Sequence, residues 1–398
     1  MTREEIYASC VQKIANTNCL MLEAATGTGK TKVSIDLINY LINSQWYKDA
    51  KEIRILILVA KIVHKTTWDE EIAKWGGIHH PTAKITIVKE CYDSLHKHCN
   101  EYWDIVLADE VHHVRSEARQ ESLRTVRYGY FIGLSATIPN KLKMQLKYHY
   151  HADFVVCDIV EAIEDEILPE PTILLFPLIL DNREPTEEWE INAKLGGPIV
   201  RGKYADIWKY KKQKVHAILS CTEKQKCMEY DKLVEFFKRN NRKEAKLYMA
   251  GKRLEFLADI KVPIIKDILR HLKKERVITF CKSIPQAEAI CRWCIHSKNE
   301  DNIQTYKDFN AKKINHISAV NILNENANLV DCKYAIFTNL SSSEVSVPQR
   351  LGRSLRHKSP VIIVPYYKGT REEELANDMV EGFNKNFIKI IHSISEIE

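Results

Sequence analysis

At 398 residues with 45% hydrophobic and 28% charged positions, the chain is long enough for two cores and too apolar for a disordered one. Its longest apolar runs, such as Ile53 to Ile62 and Val361 to Tyr367, are strand length and exclude a membrane span, and Met1-Thr-Arg-Glu-Glu shows no secretory pattern. The net charge of +6 is uneven: residues 201–276 hold 22 Lys/Arg against 10 Asp/Glu, which leaves the remainder at −6 and points to a polyanionic partner for the basic region. Eleven scattered cysteines, odd in number and without a leader, predict reduced thiols and a cytoplasmic protein.

In chain order, Cys19-Leu-Met-Leu-Glu predicts a strand and Lys32 to Leu41 a helix. Ile53 to Ala60 predicts a buried strand, followed by a helix over Thr66 to Trp75. Ile85-Thr-Ile-Val, Ile105-Val-Leu-Ala and Tyr130-Phe-Ile-Gly-Leu-Ser continue the alternation, which implies a parallel sheet with helices on both faces. Acidic, proline-punctuated residues from Asp158 to Pro185 predict a connector, and residues 197–251 a basic helical element. Strands resume at Val277-Ile-Thr-Phe-Cys, Lys333-Tyr-Ala-Ile-Phe-Thr and Val361-Ile-Ile-Val. The expected architecture is α/β: a first parallel-sheet domain over 1–168, the connector and insertion over 169–251, and a second such domain over 252–398.

Ala24-Ala-Thr26-Gly27-Thr28-Gly29-Lys30-Thr31 lies between a strand and a helix, the context a phosphate-binding loop needs. Glycines let backbone N–H groups curl around phosphates and the helix N-terminus adds a positive dipole. Lys30 is placed to reach the β/γ-phosphates of ATP and the Thr31 hydroxyl to ligate Mg²⁺. Asp109-Glu110-Val-His112-His113 ends an apolar strand 79 residues after Lys30. There Asp109 is expected to hold Mg²⁺ and Glu110 to orient or deprotonate the attacking water, since nucleotide hydrolysis needs positioning and charge neutralisation. His113 is expected to pack. Cys291-Arg-Trp-Cys294 with His296 has no second pair at finger spacing, so an amphipathic helix through Ala287, Ile290, Cys291 and Cys294 is expected instead of a zinc site.

With these loops in place the chain resembles a superfamily 2 helicase or translocase of the DExH type. It is similar above all to phage recombination-repair helicases and restriction-enzyme motor subunits, the latter two through Ala250 to Lys261. The resemblance implies two RecA-like domains from a bacterium or its phage. It makes Leu58-Val-Ala-Lys61 with Trp68 and Trp75, and Cys91-Tyr-Asp-Ser94-Leu95, backbone-contacting motifs, so Lys61 and Ser94 are nucleic-acid candidates. Ser135-Ala-Thr137 becomes the motif coupling hydrolysis to movement, with His112, and Ser283 ends a motif of the second domain. Asn324 to Leu329 is similar to the fifth motif, with Asn326 where a glycine usually follows the glutamate. Where the family carries an adenine-reading glutamine, this chain has Arg3, Glu4, Glu5, Ile6 and Tyr7.

Gln349-Arg-Leu-Gly-Arg353-Ser-Leu-Arg356 matches the sixth motif. At about 100° per residue on a helix, Gln349, Arg353 and Arg356 share one face, Leu351 and Leu355 face away, and Arg350 stands apart. The first three are expected to stabilise charge at the γ-phosphate. Tyr204, Trp208 and Lys212, among interleaved lysines, either stack bases and meet phosphates or belong to a helix with a packed face and solvated lysines. The expected function is a nucleic-acid-dependent ATPase, a monomeric helicase or translocase with DNA favoured over RNA. The alternatives are an ATP-gated nucleic-acid binder or strand-annealing protein, or an RNA helicase.

Overall fold

Thr2 opens the first helix, α1 (Arg3–Ile14), by a capping box: its hydroxyl accepts from Glu5 N while the Glu5 carboxylate accepts from Thr2 N. The computed structural model describes residues 1–192, 216–320, 331–340 and 357–398. It divides into two units, one built on Met1–Pro171 and the other on Thr172–Ile322, Tyr334–Leu340 and Val361–Glu398.

The first unit continues with β1 (Cys19–Ala24), α2 (Lys30–Ile42), β2 (Glu52–Val59), α3 (Val63–Lys74), β3 (Lys84–Cys91) and β4 (Tyr102–Asp109). It ends with α4 (Glu117–Thr125), β5 (Arg127–Ser135), α5 (Asn140–Tyr150), β6 (Asp153–Cys157) and α6 (Ile159–Glu164). Six strands form one parallel sheet in the order β3-β2-β4-β5-β1-β6. All six residues of β1 and the last five of β2 are buried, as strands covered on both faces must be. Leu56, Trp103, Val106, Phe131 and Leu146 centre its core.

In the second unit, β7 (Thr172–Leu178) precedes an antiparallel pair, β8 (Glu187–Asn192) and β9 (His216–Cys221), then α7 (Glu223–Arg239), α8 (Lys243–Asp259) and α9 (Val262–His271). Next come β10 (Val277–Phe280), α10 (Ile284–Ile290), β11 (Cys294–Ile295), α11 (Asn302–Asn310), β12 (His316–Ala319), β13 (Tyr334–Phe337), β14 (Val361–Tyr367), α12 (Arg371–Val380) and β15 (Ile388–Ile390). The seven-stranded sheet has the order β11-β12-β10-β13-β14-β7-β15, again parallel. Two parallel-sheet units with flanking helices are the tandem RecA-like arrangement.

Two expectations are corrected. Residues 172–178 are no connector: β7 sits inside the second sheet between β14 and β15, because Ile173-Leu-Leu-Phe176 is a buried apolar run that the neighbouring prolines disguise. The helix expected through Cys294 stops at Ile290; Cys291 is extended, and Cys294 enters β11 with its thiol donating to Ala287 O.

A buried ion pair locks the carboxyl edge of the second sheet. Lys261 Nζ donates to Glu372 Oε1 at 2.6 Å and to Thr338 O at 2.9 Å, and each side chain is 1% exposed. Glu372 Oε2 accepts from Tyr367 N, so one carboxylate joins the start of α9 to the ends of β13 and β14. Burial pushes the Lys261 ammonium pKa down, and Glu372 opposes the shift. Removing one member strands the other charge without water. Lys261→Ala is therefore expected to cost about 3–5 kcal/mol in urea denaturation, and the pair Lys261→Met with Glu372→Leu to recover most of it. A single substitution costing under about 1 kcal/mol would show that the pair is not locked.

Candidate nucleotide-hydrolysis site

Because β1, β5 and β4 are parallel neighbours, their carboxyl ends fall at one sheet edge. That edge carries the three loops singled out in the sequence. After β1, Ala25 N donates to Cys157 O at 2.9 Å and pins the chain before it turns. Gly27 (φ 101°) and Gly29 (φ 96°) are left-handed, which residues with a Cβ rarely adopt. The Thr28 hydroxyl is buried and donates to Ala25 O at 2.8 Å, so this side chain closes the loop from within. Thr26, Gly27 and Gly29 are half-buried around it.

Helix α2 begins at Lys30 without a side-chain cap, which leaves its first amides to be satisfied by an anion. Lys30 Nζ donates to Ala24 O at 2.7 Å and Ala25 O at 3.2 Å, holding the ammonium over the loop. Two left-handed glycines and an uncapped helix start suit phosphate. The Thr31 hydroxyl and the Asp109 carboxylate are oxygen donors of the type Mg²⁺ takes.

Asp109 ends β4, whose preceding four residues are fully buried. Its carboxylate Oδ2 accepts from Trp68 Nε1 at 3.0 Å, and its backbone carbonyl accepts from the Tyr92 hydroxyl at 2.7 Å. Trp68 on α3 is 3% exposed and Tyr92 2%. Burial pushes the Tyr92 phenol well above its usual range, with Asp109 and Glu110 adding to the shift, so it stays a donor. The sequence places Trp68 in a backbone-contacting motif; its bond to Asp109 comes from the packing of α3 and has no sequence signal.

Glu110 takes a left-handed conformation (φ 51°, ψ 56°), sparsely populated for a residue with a side chain, and is 6% exposed. His112 Nδ1 lies 3.0 Å from Ser135 Oγ and 3.3 Å from Glu110 Oε2. The Ser135 hydroxyl donates to Thr137 O at 2.8 Å, so the His112 tautomer with its proton on Nδ1 completes the contact with Ser135 Oγ. The structure thus gathers His112, Ser135, Thr137 and Glu110 into one chain of contacts. Glu23, which the sequence reading passed over, fixes the same turn: its Oε1 accepts from Ile138 N and its Oε2 pairs with Lys143 at 2.6 Å. His113 packs against the Tyr92 and His112 rings.

Lys61, exposed, and Ser94, half-buried, follow β2 and β3 at the same edge. Arg119 ties the second of these segments to the carboxylate turn by donating to Asp93 Oδ1 and to His113 O. In the second unit Ser283 caps α10, its Oγ accepting from Gln286 N at 3.2 Å. Tyr204, Trp208, Lys212, the segment from Asn324 to Leu329, Gln349, Arg353 and Arg356 lie outside the described residues.

A parallel sheet with a glycine loop, a carboxylate pair and a serine-threonine turn at one edge, followed by a second such sheet, is the body of a RecA-like nucleotide-hydrolysing motor. Residues 2–140 match the family described as type III restriction enzyme, res subunit, and residues 260–358 match the helicase conserved C-terminal domain. The DNA 3'-5' translocase XPB2 of Sulfurisphaera tokodaii is 23% identical over 396 residues, 88% of this chain and 78% of its own. The solved structure of the type ISP restriction-modification enzyme LlaBIII bound to DNA is similar over 100% of this chain and 32% of its own, with TM-score 0.60 and 14% identity. S. cerevisiae Dbp5 bound to RNA and ADP BeF3 is similar over 98% of this chain and 89% of its own, with TM-score 0.56 and 12% identity. The chain belongs to the superfamily 2 helicases and translocases, and it is an ATP-hydrolysing enzyme. Among the described residues no helix is long and apolar enough to cross a membrane.

Trp68→Phe keeps the ring and removes the donor to Asp109. Losing a hydrogen bond to a charged group, worth about 1.5–3 kcal/mol, is expected to lower kcat for ATP hydrolysis by roughly tenfold or more with little change in KM. Steady-state kinetics with a thermal melt decide it; wild-type kcat in a folded variant would separate Trp68 from the site.

Proposed function

We propose that the chain is a monomeric motor that moves along DNA by Mg²⁺-dependent ATP hydrolysis. The observation that carries this reading is the convergence of the Lys30 loop, the Asp109-Glu110 turn and the Ser135-Thr137 turn on one sheet edge. Thr26, Gly27, Gly29 and the backbone of Thr28 cradle the phosphates, and Lys30 meets their charge. Thr31 and Asp109 hold Mg²⁺, which when bound neutralises the phosphate oxygens. Glu110 accepts the proton of the attacking water. His112, half-buried between Ser135 and Glu110, is set to sense the Glu110 carboxylate and pass its state to Thr137. Gln349, Arg353 and Arg356 of the sixth motif stabilise the charge that develops at the γ-phosphate.

Lys61, Ser94 and Ser283 contact the nucleic-acid backbone, and Tyr204, Trp208 and Lys212 add grip from the basic insertion. The Ser283 hydroxyl accepts at its cap and retains its proton for a phosphate. A relative described as a DNA translocase, similar over 88% of this chain, supports DNA over RNA as the track. The domain limits proposed are 1–168 and 252–398, the second completed by β7 from within 169–251. Eleven free cysteines suit a reducing, cytoplasmic setting.

ATPase rates on a panel of single-stranded, duplex and forked DNA and matching RNA test the reading. DNA is expected to stimulate hydrolysis more than RNA, and Lys30→Ala or Glu110→Gln to remove the stimulated rate by at least about 100-fold. A rate indifferent to every nucleic acid on the panel would sink the motor. Triplex displacement without strand displacement would identify movement along duplex as its action.

A further inference from the structure

Among the described residues, Ser283 follows β10 at the carboxyl edge of the second sheet. At the amino edge the turns entering β10, β11 and β12 enclose a concavity of about 600 Å³. Lys266 and Arg270 reach it from one face of α9, with Lys273 from the turn that follows. Arg292 and Trp293 come from the residues before β11, and Lys313 from those before β12. Among the described residues no acidic side chain lines it. Arg270 pairs with Asp267 and Lys313 with Asp308, whereas Lys266, Lys273 and Arg292 make no ion pair among the described residues. Trp293 is 38% exposed, and the Arg292 guanidinium lies 5.1 Å from its ring centroid.

We propose that this basic concavity binds single-stranded nucleic acid, as a second contact on the strand that the motor grips at the opposite edge. The proposal rests on the motor reading above. Charge alone would suit an acidic protein equally well, and the aromatic decides between them. An exposed indole beside a guanidinium offers planar surfaces on which unpaired bases stack, and three uncompensated cations beside it meet phosphates. Ligands of open parallel sheets gather at the carboxyl ends of the strands, so a cationic, aromatic hollow at the amino ends is a separate site and no extension of the first. Lys266, Arg270 and Lys273 also account for part of the excess positive charge in residues 201–276.

The test is binding of a fluorescently labelled oligothymidylate across a salt series, with ATPase and thermal melts alongside. The variants are Lys266→Glu/Lys273→Glu/Arg292→Glu, the same three changed to alanine, and Trp293→Ala. Loss of three phosphate contacts is expected to flatten the slope of log K against log salt by about 2 and to weaken binding at least about tenfold at low salt. Trp293→Ala is expected to weaken binding about five- to 100-fold, the loss of one stacked base. The rate without nucleic acid should stay at the wild-type value, and saturating strand should still restore the full stimulated rate. If wild type binds and is stimulated while the folded triple variants match it in affinity and slope, this proposal falls alone, and an acidic protein becomes the occupant. A fall in the saturated rate at unchanged affinity also overturns it. If the wild type shows no salt-dependent binding, the motor reading fails and this site fails with it.

Discussion

Five backbone pairings between β1 and β5, from Cys19↔Phe131 to Glu23↔Ser135, and seven between β4 and β5 bring three strand ends to a common level. Register in a parallel sheet is strict when both faces are buried, because a slip of one residue turns every side chain to the other face. Here a slip of β4 would aim Asp109 away from its Trp68 donor, and a slip of β5 would take Ser135 from His112. The apolar runs of the first core therefore fix the site as firmly as its polar contacts do. Glu23 adds a side-chain brace by tying the end of β1 to the turn after β5.

Asp109 is held from two directions by segments that follow β2 and β3, the strands whose loops carry Lys61 and Ser94. Any force on those loops has a short, rigid route to the carboxylate through buried aromatic rings. In the other direction the His112 ring lies between Glu110 and Ser135, with Nδ1 3.3 Å from one and 3.0 Å from the other. On the function proposed above, a motor must make hydrolysis depend on its track, and these two connections are the contacts through which that dependence would act. Glu110 pays for its place with an unfavourable backbone conformation, as residues at functional turns often do.

Much of the fold was legible because buried parallel strands read as plain apolar runs. Cys19 to Ala24, Ile53 to Val59 and Ile105 to Ala108 needed no tertiary information, and neither did the glycine loop, whose left-handed positions call for glycine. Thr172–Leu178 was missed as a strand because proline punctuation and acidic neighbours dominate a local reading, while its partners β14 and β15 lie far along the chain. The helix expected through Cys294 failed for a related reason: helical spacing of apolar residues does not say where backbone hydrogen bonding changes partner.

The sequence by itself determined the chemical vocabulary: a lysine and glycines after one strand, a carboxylate pair after another, serine and threonine after a third. Those assignments depend on neighbours within a few positions, so they survive without coordinates. Tertiary structure alone decided that Thr28 turns inward, that Trp68 and Tyr92 grip Asp109, that Lys261 and Glu372 bury a charge pair, and that cations from three separate turns share a hollow with Trp293. Each joins residues that are distant in sequence or depends on which way a side chain points. Only the closing of the sheets sets those distances and directions.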